Sequence, residues 1–267
     1  RLAPPPVKVA AELLGTPVLQ PASLKDPEVL AQLQGLGADL FAVVAFVILP
    51  KAVLEIPTLG SVNVHPSLLP KYRGAAPINW AIIRGEEETG VSIFRLTPRV
   101  DAGDLLLQRQ VHIGPDETAG ELYERLKVLG AELLVEAVDM LSKGEAAPVS
   151  QPEVGASRAP KLGKEDGRID WAVDAGTIRD LIRGTNPFPG AFTQWKGRDL
   201  KVHRVGVVEG SGPPGAVILA DGKAGLVVAT GEGALALEEV QPAGKGRMSG
   251  SELVRGYRVE TGEVLGS

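Results

Sequence analysis

The chain has 267 residues, of which 44% are hydrophobic, and this is long enough for two domains that each bury a core. It contains no cysteine, which excludes disulfides, thiolate catalysis and cysteine-ligated metals. The formal net charge of −5 argues mildly against a nucleic-acid-binding role, although the distribution of charge matters more than its sum. No apolar run approaches the roughly 18 residues of a membrane span. A cytoplasmic enzyme is the ordinary expectation.

The first 60 residues contain helical patterns and one long apolar run. We predict a helix over residues 6–14, a short strand over 17–19, and a second helix from the N-cap Asp26 to about residue 36. The run 40–49 is almost wholly apolar and rich in Val. Such a run is typical of a central parallel strand that is buried on both faces.

Strands and helices continue to alternate up to residue 142. Strands are predicted over 61–65, 91–96 and 104–113, and helices over 76–84 and 118–142. The last helix is the clearest, because Thr118 and Glu121 form a capping box before a run of apolar residues at helical spacing. This order indicates an α/β fold with an open, mainly parallel sheet, whose ligands bind beyond the carboxyl ends of the strands.

The pattern changes after residue 145. Residues 146–163 are rich in Pro, Ala, Gly and Ser, and we interpret them as a linker between a first domain, 1–145, and a second domain, 164–267. The second domain begins with a predicted helix over 175–183, and short strands at regular spacing then predict a small β-barrel. These strands are predicted over 191–195, 200–208, 216–219, 225–229 and 234–240. Basic residues concentrate at Lys196, Arg198, Lys201, Arg204, Lys245, Arg247, Arg255 and Arg258, although such clusters are usually solvated surface.

Three polar residues form the candidate catalytic site. Asn63 and His65 lie two positions apart, so their side chains emerge on one face of a strand end, and Asp101 opens a tight turn between two strands. An amide, an imidazole and a carboxylate can together supply oxyanion donors and a proton acceptor for acyl transfer to an amine. We expect Asp101 to raise the pKa of His65, so that it donates as an imidazolium. The same triplet also fits a simple hydrogen-bonded histidine beside a common turn. With only three His and no zinc-like spacing, no metal site is expected.

Longer motifs give the site a family context. SVNVHPSLLP at 61–70, KYRGAAPI at 71–78, ETGV at 88–91 and DAGD at 101–104 resemble, in this order, the signature of formyltransferases that use 10-formyltetrahydrofolate. Segments upstream match as well, at 6–8 and 48–54. Downstream matches resemble the C-terminal domain of the methionyl-tRNA formyltransferase family and stand at 161–162, 169–171, 183, 186–190 and 241–245.

The resemblance implies a Rossmann-like catalytic domain followed by an oligonucleotide-binding-like barrel that helps to hold tRNA. It implies that Asn63, His65 and Asp101 are catalytic and that 10-formyltetrahydrofolate is the co-substrate. The folate site would be formed by Phe46, Val47, Ile48, Leu49, Pro50, Ser67, Leu68, Leu69, Pro70 and Val100. It further implies transfer to the amino group of methionyl-initiator tRNA, bound through its acceptor stem by a monomeric enzyme.

Two departures from the family pattern leave alternatives open. The family's first strand and helix are absent, as if about forty residues were missing before Arg1. The turn around Phe46 is one residue shorter than in the family. Phe46 is as well explained by packing in the core as by a role in the folate pocket. A related formyltransferase acting on an amino sugar or glycinamide ribotide, or a catalytically inert RNA-binding protein, therefore remain as alternatives.

Overall fold

A computed structural model describes residues 3–44 and 49–266. Its first part is a four-stranded sheet with helices packed beside it, followed by a short two-stranded pairing. The elements, in chain order, are α1 (Pro6–Leu13), α2 (Pro27–Gly35), β1 (Phe41–Val43), α3 (Lys51–Leu54), β2 (Ser61–His65), β3 (Arg73–Gly74), α4 (Pro77–Ile83), β4 (Glu88–Arg95), β5 (Leu105–His112), α5 (Ala119–Lys143) and β6 (Arg158–Ala159).

The long helix α5 begins where the sequence predicts. The Thr118 hydroxyl accepts from the Glu121 backbone N–H at 3.3 Å, and the Glu121 carboxylate accepts from the Thr118 N–H at 2.8 Å. This capping box satisfies two of the free N–H groups at the helix start. The face that carries Leu122, Leu126 and Leu133 is buried against the sheet and forms the core of the first domain.

The strand order of the first sheet is β1-β2-β4-β5. β1 pairs with β2 in parallel, whereas the β2–β4 and β4–β5 pairings are antiparallel. β2 is therefore flanked on both sides, and His65 at its end lies opposite Ser92 of β4. The predicted α/β class is confirmed, with one parallel and two antiparallel pairings among the described strands of this first sheet.

The second part is an antiparallel sheet with a helix at each end of its sequence. After a 3-10 turn at Lys164–Gly167, the elements are α6 (Ala175–Thr185), β7 (Ala191–Trp195), β8 (Arg198–Val208), β9 (Val217–Asp221), β10 (Gly225–Ala229), β11 (Ala234–Pro242), β12 (Met248–Ser249) and α7 (Gly250–Tyr257). The strand order is β7-β8-β11-β10-β9, with β12 paired to β11. A second core, which includes Ile178, Leu200, Leu235 and Leu253, lies between this sheet and the two helices.

The predicted barrel is an open sheet in the described residues, because β7 and β9 form its edges and do not pair with each other. Short bridges cover these edges instead. Arg168 bridges to Phe192 of β7, and Val264 bridges to Ala216, next to β9. The edge N–H and C=O groups are thus partly satisfied by irregular segments, which removes the need for closure.

Three local expectations differ from the structure. The strand predicted over residues 17–19 is wrong, since this segment is irregular. Of the predicted strand 40–49, only Phe41–Val43 is a strand in the described residues; it is half-buried at the sheet edge and not a central strand buried on both faces. The helix α7 was not predicted, although Ser249 and Glu252 form a capping box at its start.

The two domains contact each other through α4, α5 and α6. The Asn79 amide of α4 donates to the carbonyl of Gly184 in α6 at 2.7 Å, and the Gly120 N–H of α5 donates to the carbonyl of Asn186 at 3.0 Å. The Arg183 guanidinium donates to the Gly114 carbonyl at 3.3 Å. Within the described ranges, no helix combines the length and apolarity needed to cross a membrane.

Candidate active site

The carboxyl end of β2 places two polar side chains at the site. Asn63 is half-buried and reaches an open cleft, whereas His65 is 4% exposed and lies behind it. The Phe94 ring of the neighbouring strand meets the His65 ring edge-on, with centroids 6.4 Å apart. The strand pairing that brings Phe94 here thus also removes most water from His65.

A backbone carbonyl determines which nitrogen of His65 carries the proton. The Nε2 atom lies 2.9 Å from the carbonyl oxygen of Tyr72, which can only accept. Nε2 therefore donates, and in the neutral imidazole Nδ1 is left as the acceptor. Nδ1 lies 3.9 Å from Oδ2 of Asp101. The sequence pattern placed these two residues together correctly, but it did not identify Tyr72.

The Asp101 carboxylate is held by β3. Its Oδ2 atom accepts from the backbone N–H of Gly74 at 2.8 Å. Gly74 has φ of +129°, and a Cβ atom there would lie 2.5 Å from the carbonyl oxygen of Ala159, so a glycine is required. Asp101 itself has φ of 50°, a left-handed conformation that Asp tolerates better than most residues. The 101–104 turn therefore directs the carboxylate at His65 through backbone geometry.

Burial lowers the pKa of His65 below its ordinary value, and the neighbouring Asp101 charge and the Tyr72 hydrogen bond only partly offset this effect. The expectation that Asp101 leaves His65 as an imidazolium is therefore wrong for the free protein. The ring is neutral near pH 7, with Nδ1 available to accept a proton.

A small open cleft, with a cavity volume of about 80 Å³, lies in front of Asn63 and Asp101. Its walls are polar and apolar in nearly equal parts, and its lining residues are Val43, Leu49, Leu54, Asn63, Leu96, Thr97, Pro98, Arg99, Val100 and Asp101. The Asn63 Oδ1 atom is buried without a hydrogen-bond partner among the described residues. A buried polar atom without a partner in a cleft is suited to a ligand that completes its hydrogen bonding.

The predicted folate-site residues are only partly brought together. Leu49 and Val100 line the cleft, whereas Pro50, the residue after Leu49, does not line the cleft. Phe46, Val47 and Ile48 lie outside the described residues.

The loop formed by Ser67, Leu68, Leu69 and Pro70 packs away from the cleft lining. The Ser92 hydroxyl donates to the Ser67 carbonyl at 2.6 Å and accepts from the Leu69 N–H at 3.1 Å. The Gln108 amide donates to the Leu69 carbonyl at 2.9 Å. These contacts support the back of the His65 strand end.

Sequence reasoning missed two further contributors. Tyr72 orients His65 through its carbonyl, a contact that no side-chain pattern encodes. Gln151, in the predicted linker, donates to the Asp101 carbonyl at 3.0 Å. In the part of the chain that the structure describes, no three His, Asp or Glu side chains lie close enough together to hold a metal ion.

Comparisons with known proteins identify the family to which this chain belongs. Two family models match the chain, one described as Formyl transferase over residues 1–138 and one described as Formyl transferase, C-terminal domain, over residues 161–258. A relative from Geotalea uraniireducens named methionyl-tRNA formyltransferase is 47% identical over 264 residues, which cover 98% of this chain and 84% of that protein. A relative of the same name from Geobacter metallireducens is 48% identical over 267 residues, covering 100% of this chain and 86% of that protein.

Solved structures share the fold. HypX from Aquifex aeolicus, in complex with tetrahydrofolic acid, matches with a TM-score of 0.66 at 21% identity, over 89% of this chain and 42% of that one. At this level of identity the similarity shows the fold and not a shared activity.

Proposed function

This chain belongs to the formyl transferase family, and we propose that it transfers a formyl group from 10-formyltetrahydrofolate to the free amino group of methionyl-initiator tRNA. The observation that carries this proposal is the His65–Asp101 pair beside the cleft. Relatives 47% and 48% identical to this chain carry the name methionyl-tRNA formyltransferase, which favours this acceptor over an amino sugar or glycinamide ribotide.

The described part of the cleft offers contacts for the co-substrate. Leu49, Leu54 and Val100 supply apolar surface for a flat ring system, and Asn63 supplies an amide whose oxygen has no partner among the described residues. When bound, 10-formyltetrahydrofolate supplies the formyl carbon and the nitrogen leaving group. We place the Asn63 amide N–H beside the formyl oxygen, where it stabilises the negative charge that develops there; one such donor is typically worth about 10²–10³ in rate.

The neutral amine attacks the formyl carbon, and the proton that it loses needs an acceptor. His65 Nδ1 is an acceptor in the resting state, because Nε2 is the nitrogen that donates to Tyr72. The neighbouring carboxylate oxygen, Asp101 Oδ2, is an acceptor as well. A proton taken up at Nδ1 is stabilised by the Asp101 charge. His65 can then donate from Nδ1 to the oxyanion or to the leaving nitrogen, so it acts first as a base and only afterwards as an imidazolium.

We assign tRNA binding to the second domain of a monomeric, cytoplasmic protein. Several of its basic residues are already paired with carboxylates, Lys196 with Glu263 at 2.9 Å and Arg247 with Glu239 at 3.1 Å among them. Six exposed ones form no ion pair in the described residues: Arg198, Lys201, Lys223, Lys245, Arg255 and Arg258. These six are the side chains available to contact phosphates of the acceptor stem.

A formylation assay with methionyl-initiator tRNA, methionyl-elongator tRNA, glycinamide ribotide and a nucleotide-linked amino sugar tests the proposal. We expect turnover with the initiator tRNA, and formylation of a small amine alone would refute it. His65→Ala should lower kcat by about 10²–10⁴ while tRNA binding persists. Unchanged turnover in that variant would refute the catalytic role of His65, and binding without any turnover by the unmodified chain would favour an inert RNA-binding protein.

A further inference from the structure

We propose that Gln151 is a positioning residue that holds the turn carrying Asp101 against His65, an inference that rests on the function proposed above. Gln151 is half-buried in the segment between α5 and β6. Its Nε2 group donates to the carbonyl oxygens of Asp101 at 3.0 Å and of Gly103 at 2.7 Å. One amide group thus fixes both ends of the three-residue stretch that presents the carboxylate.

The other half of the same amide reaches β3. Gln151 Oε1 accepts from Arg73 Nε at 3.2 Å and from Arg73 Nη2 at 2.9 Å. Arg73 directly precedes Gly74, whose N–H holds the Asp101 carboxylate. Because the amide uses both hydrogens and its oxygen, a flipped amide would place its oxygen against two carbonyls, and only one orientation is allowed. Gln151 therefore connects the turn of Asp101 to the strand that binds it.

The segment around Gln151 is itself anchored on both sides. On one side, Val149 exchanges two backbone hydrogen bonds with Leu105, at 2.8 and 2.9 Å. On the other side, the Ser157 hydroxyl accepts from the Tyr72 N–H at 2.8 Å, and the Ser157 carbonyl accepts from the Arg73 N–H at 2.9 Å. Gln151 therefore acts from a fixed point, and the same segment also restrains Tyr72, the residue that orients His65.

Asp101 depends on such outside support. Its φ of 50° is a left-handed conformation that a non-glycine residue keeps only where surrounding contacts hold it. The 3.9 Å separation between Asp101 Oδ2 and His65 Nδ1 exceeds a direct hydrogen bond, so the pair does not hold itself together in the resting state. Without Gln151, the turn keeps the Gly74 contact but loses the two hydrogen bonds to the carbonyls of Asp101 and Gly103.

The test compares Gln151→Ala and Gln151→Glu with the control Ser150→Ala. Ser150 donates to the Asp104 carboxylate at 2.9 Å, so the control removes a neighbouring contact to the same turn without touching Asp101. Gln151→Glu keeps the acceptor for Arg73 and removes the donor to Asp101. We expect both Gln151 variants to lose about 10- to 100-fold in kcat with unchanged KM for both substrates, and the control to stay within about twofold.

The pH profile separates positioning from a purely structural effect. Asp101 raises the pKa of His65, so a displaced carboxylate should move the acidic limb of kcat/KM to lower pH in both Gln151 variants. A folded Gln151→Glu variant with full kcat and an unshifted pH profile of kcat/KM would overturn the proposal. If Gln151→Ala does not fold, Gln151→Glu alone decides the outcome. His65→Ala and Asp101→Asn are measured alongside. If these two remain active, the proposed function fails; if they are inactive while the Gln151 variants are normal, only the role of Gln151 fails.

Discussion

Replacing Gly103 by alanine should damage the site without touching any reactive group. A Cβ atom at this position would lie 1.7 Å from the carbonyl oxygen of Arg95, whereas ordinary contacts start near 3.4 Å. Arg95 belongs to β4, which pairs with β2 on one side and with β5 on the other, so this strand cannot retreat easily. The turn has to move instead, and it carries Asp101 two residues earlier.

The required shift, up to about 1.7 Å, is large compared with the precision that catalysis needs. A misplacement of about 1 Å typically costs about 10²-fold in rate, and an overpacked side chain costs about 1–3 kcal/mol of stability. We therefore expect Gly103→Ala to lower kcat for formyl transfer by about 100-fold. We expect a simultaneous loss of about 1–3 kcal/mol in the free energy of unfolding.

Single-turnover formyl transfer at saturating substrates measures the first effect, and urea unfolding measures the second. Gly246→Ala is the matched control, since no atom lies within 4 Å of its added Cβ and its backbone is not left-handed. The control should change stability by no more than about 0.5 kcal/mol and leave kcat unchanged. A Gly103→Ala protein with normal kcat would show that the position of the Asp101 turn does not limit the reaction.

Two further predictions concern stability and tRNA binding. Burial lowers the pKa of His65 and His203, so the folded state keeps them neutral while the unfolded chain binds protons below the ordinary value of 6.5. The free energy of unfolding should therefore fall as the pH drops from 7 to 5. In a His65→Gln/His203→Gln double variant, the free energy of unfolding measured with urea should depend less steeply on pH. An equally steep pH dependence in the variant would contradict the burial argument. Carboxylates with lowered pKa, such as Glu121, lose their contribution only below about pH 4.5 and do not interfere. The double variant Lys201→Ala/Lys245→Ala should bind tRNA more weakly. Its slope of log K against log salt concentration should be smaller by about 0.7–0.9 for each lost phosphate contact. The control Lys196→Ala removes a lysine that is paired with Glu263 and should leave this slope nearly unchanged. Identical slopes in filter-binding titrations would remove these two lysines from the interface.

Features that depend on neighbouring residues were predicted well from the sequence. The Thr118–Glu121 capping box and the apolar spacing of α5 are local, and both appear in the structure. Asn63 and His65 were placed at a strand end by alternation alone, and β2 ends at His65. Such features can be predicted from the sequence because strand alternation and helix capping involve only residues within about four positions of each other.

Features that depend on distant contacts were not predictable in the same way. The protonation state of His65 follows from burial beneath Phe94, and its tautomer from the Tyr72 carbonyl; neither is encoded by His65 and Asp101 themselves. The second domain has the strands of a barrel, but edge bridges from Arg168 and Val264 leave the described sheet open. The loop that includes Ser67 and Leu69 faces Ser92 and Gln108, which a motif match could not reveal.

The contacts of Gln151 and Ser157 also set where a self-sufficient catalytic unit can end. They join residues that are 50 and 85 positions apart, so the Asp101 turn and the Tyr72 carbonyl are secured by chain that follows the long helix. The first family match stops at residue 138, before either contact is made. A fragment cut at that boundary would keep every proposed catalytic side chain and lose the supporting hydrogen bonds of Gln151 and Ser157. During synthesis, by the same reasoning, the site becomes complete only when residues near 160 have emerged.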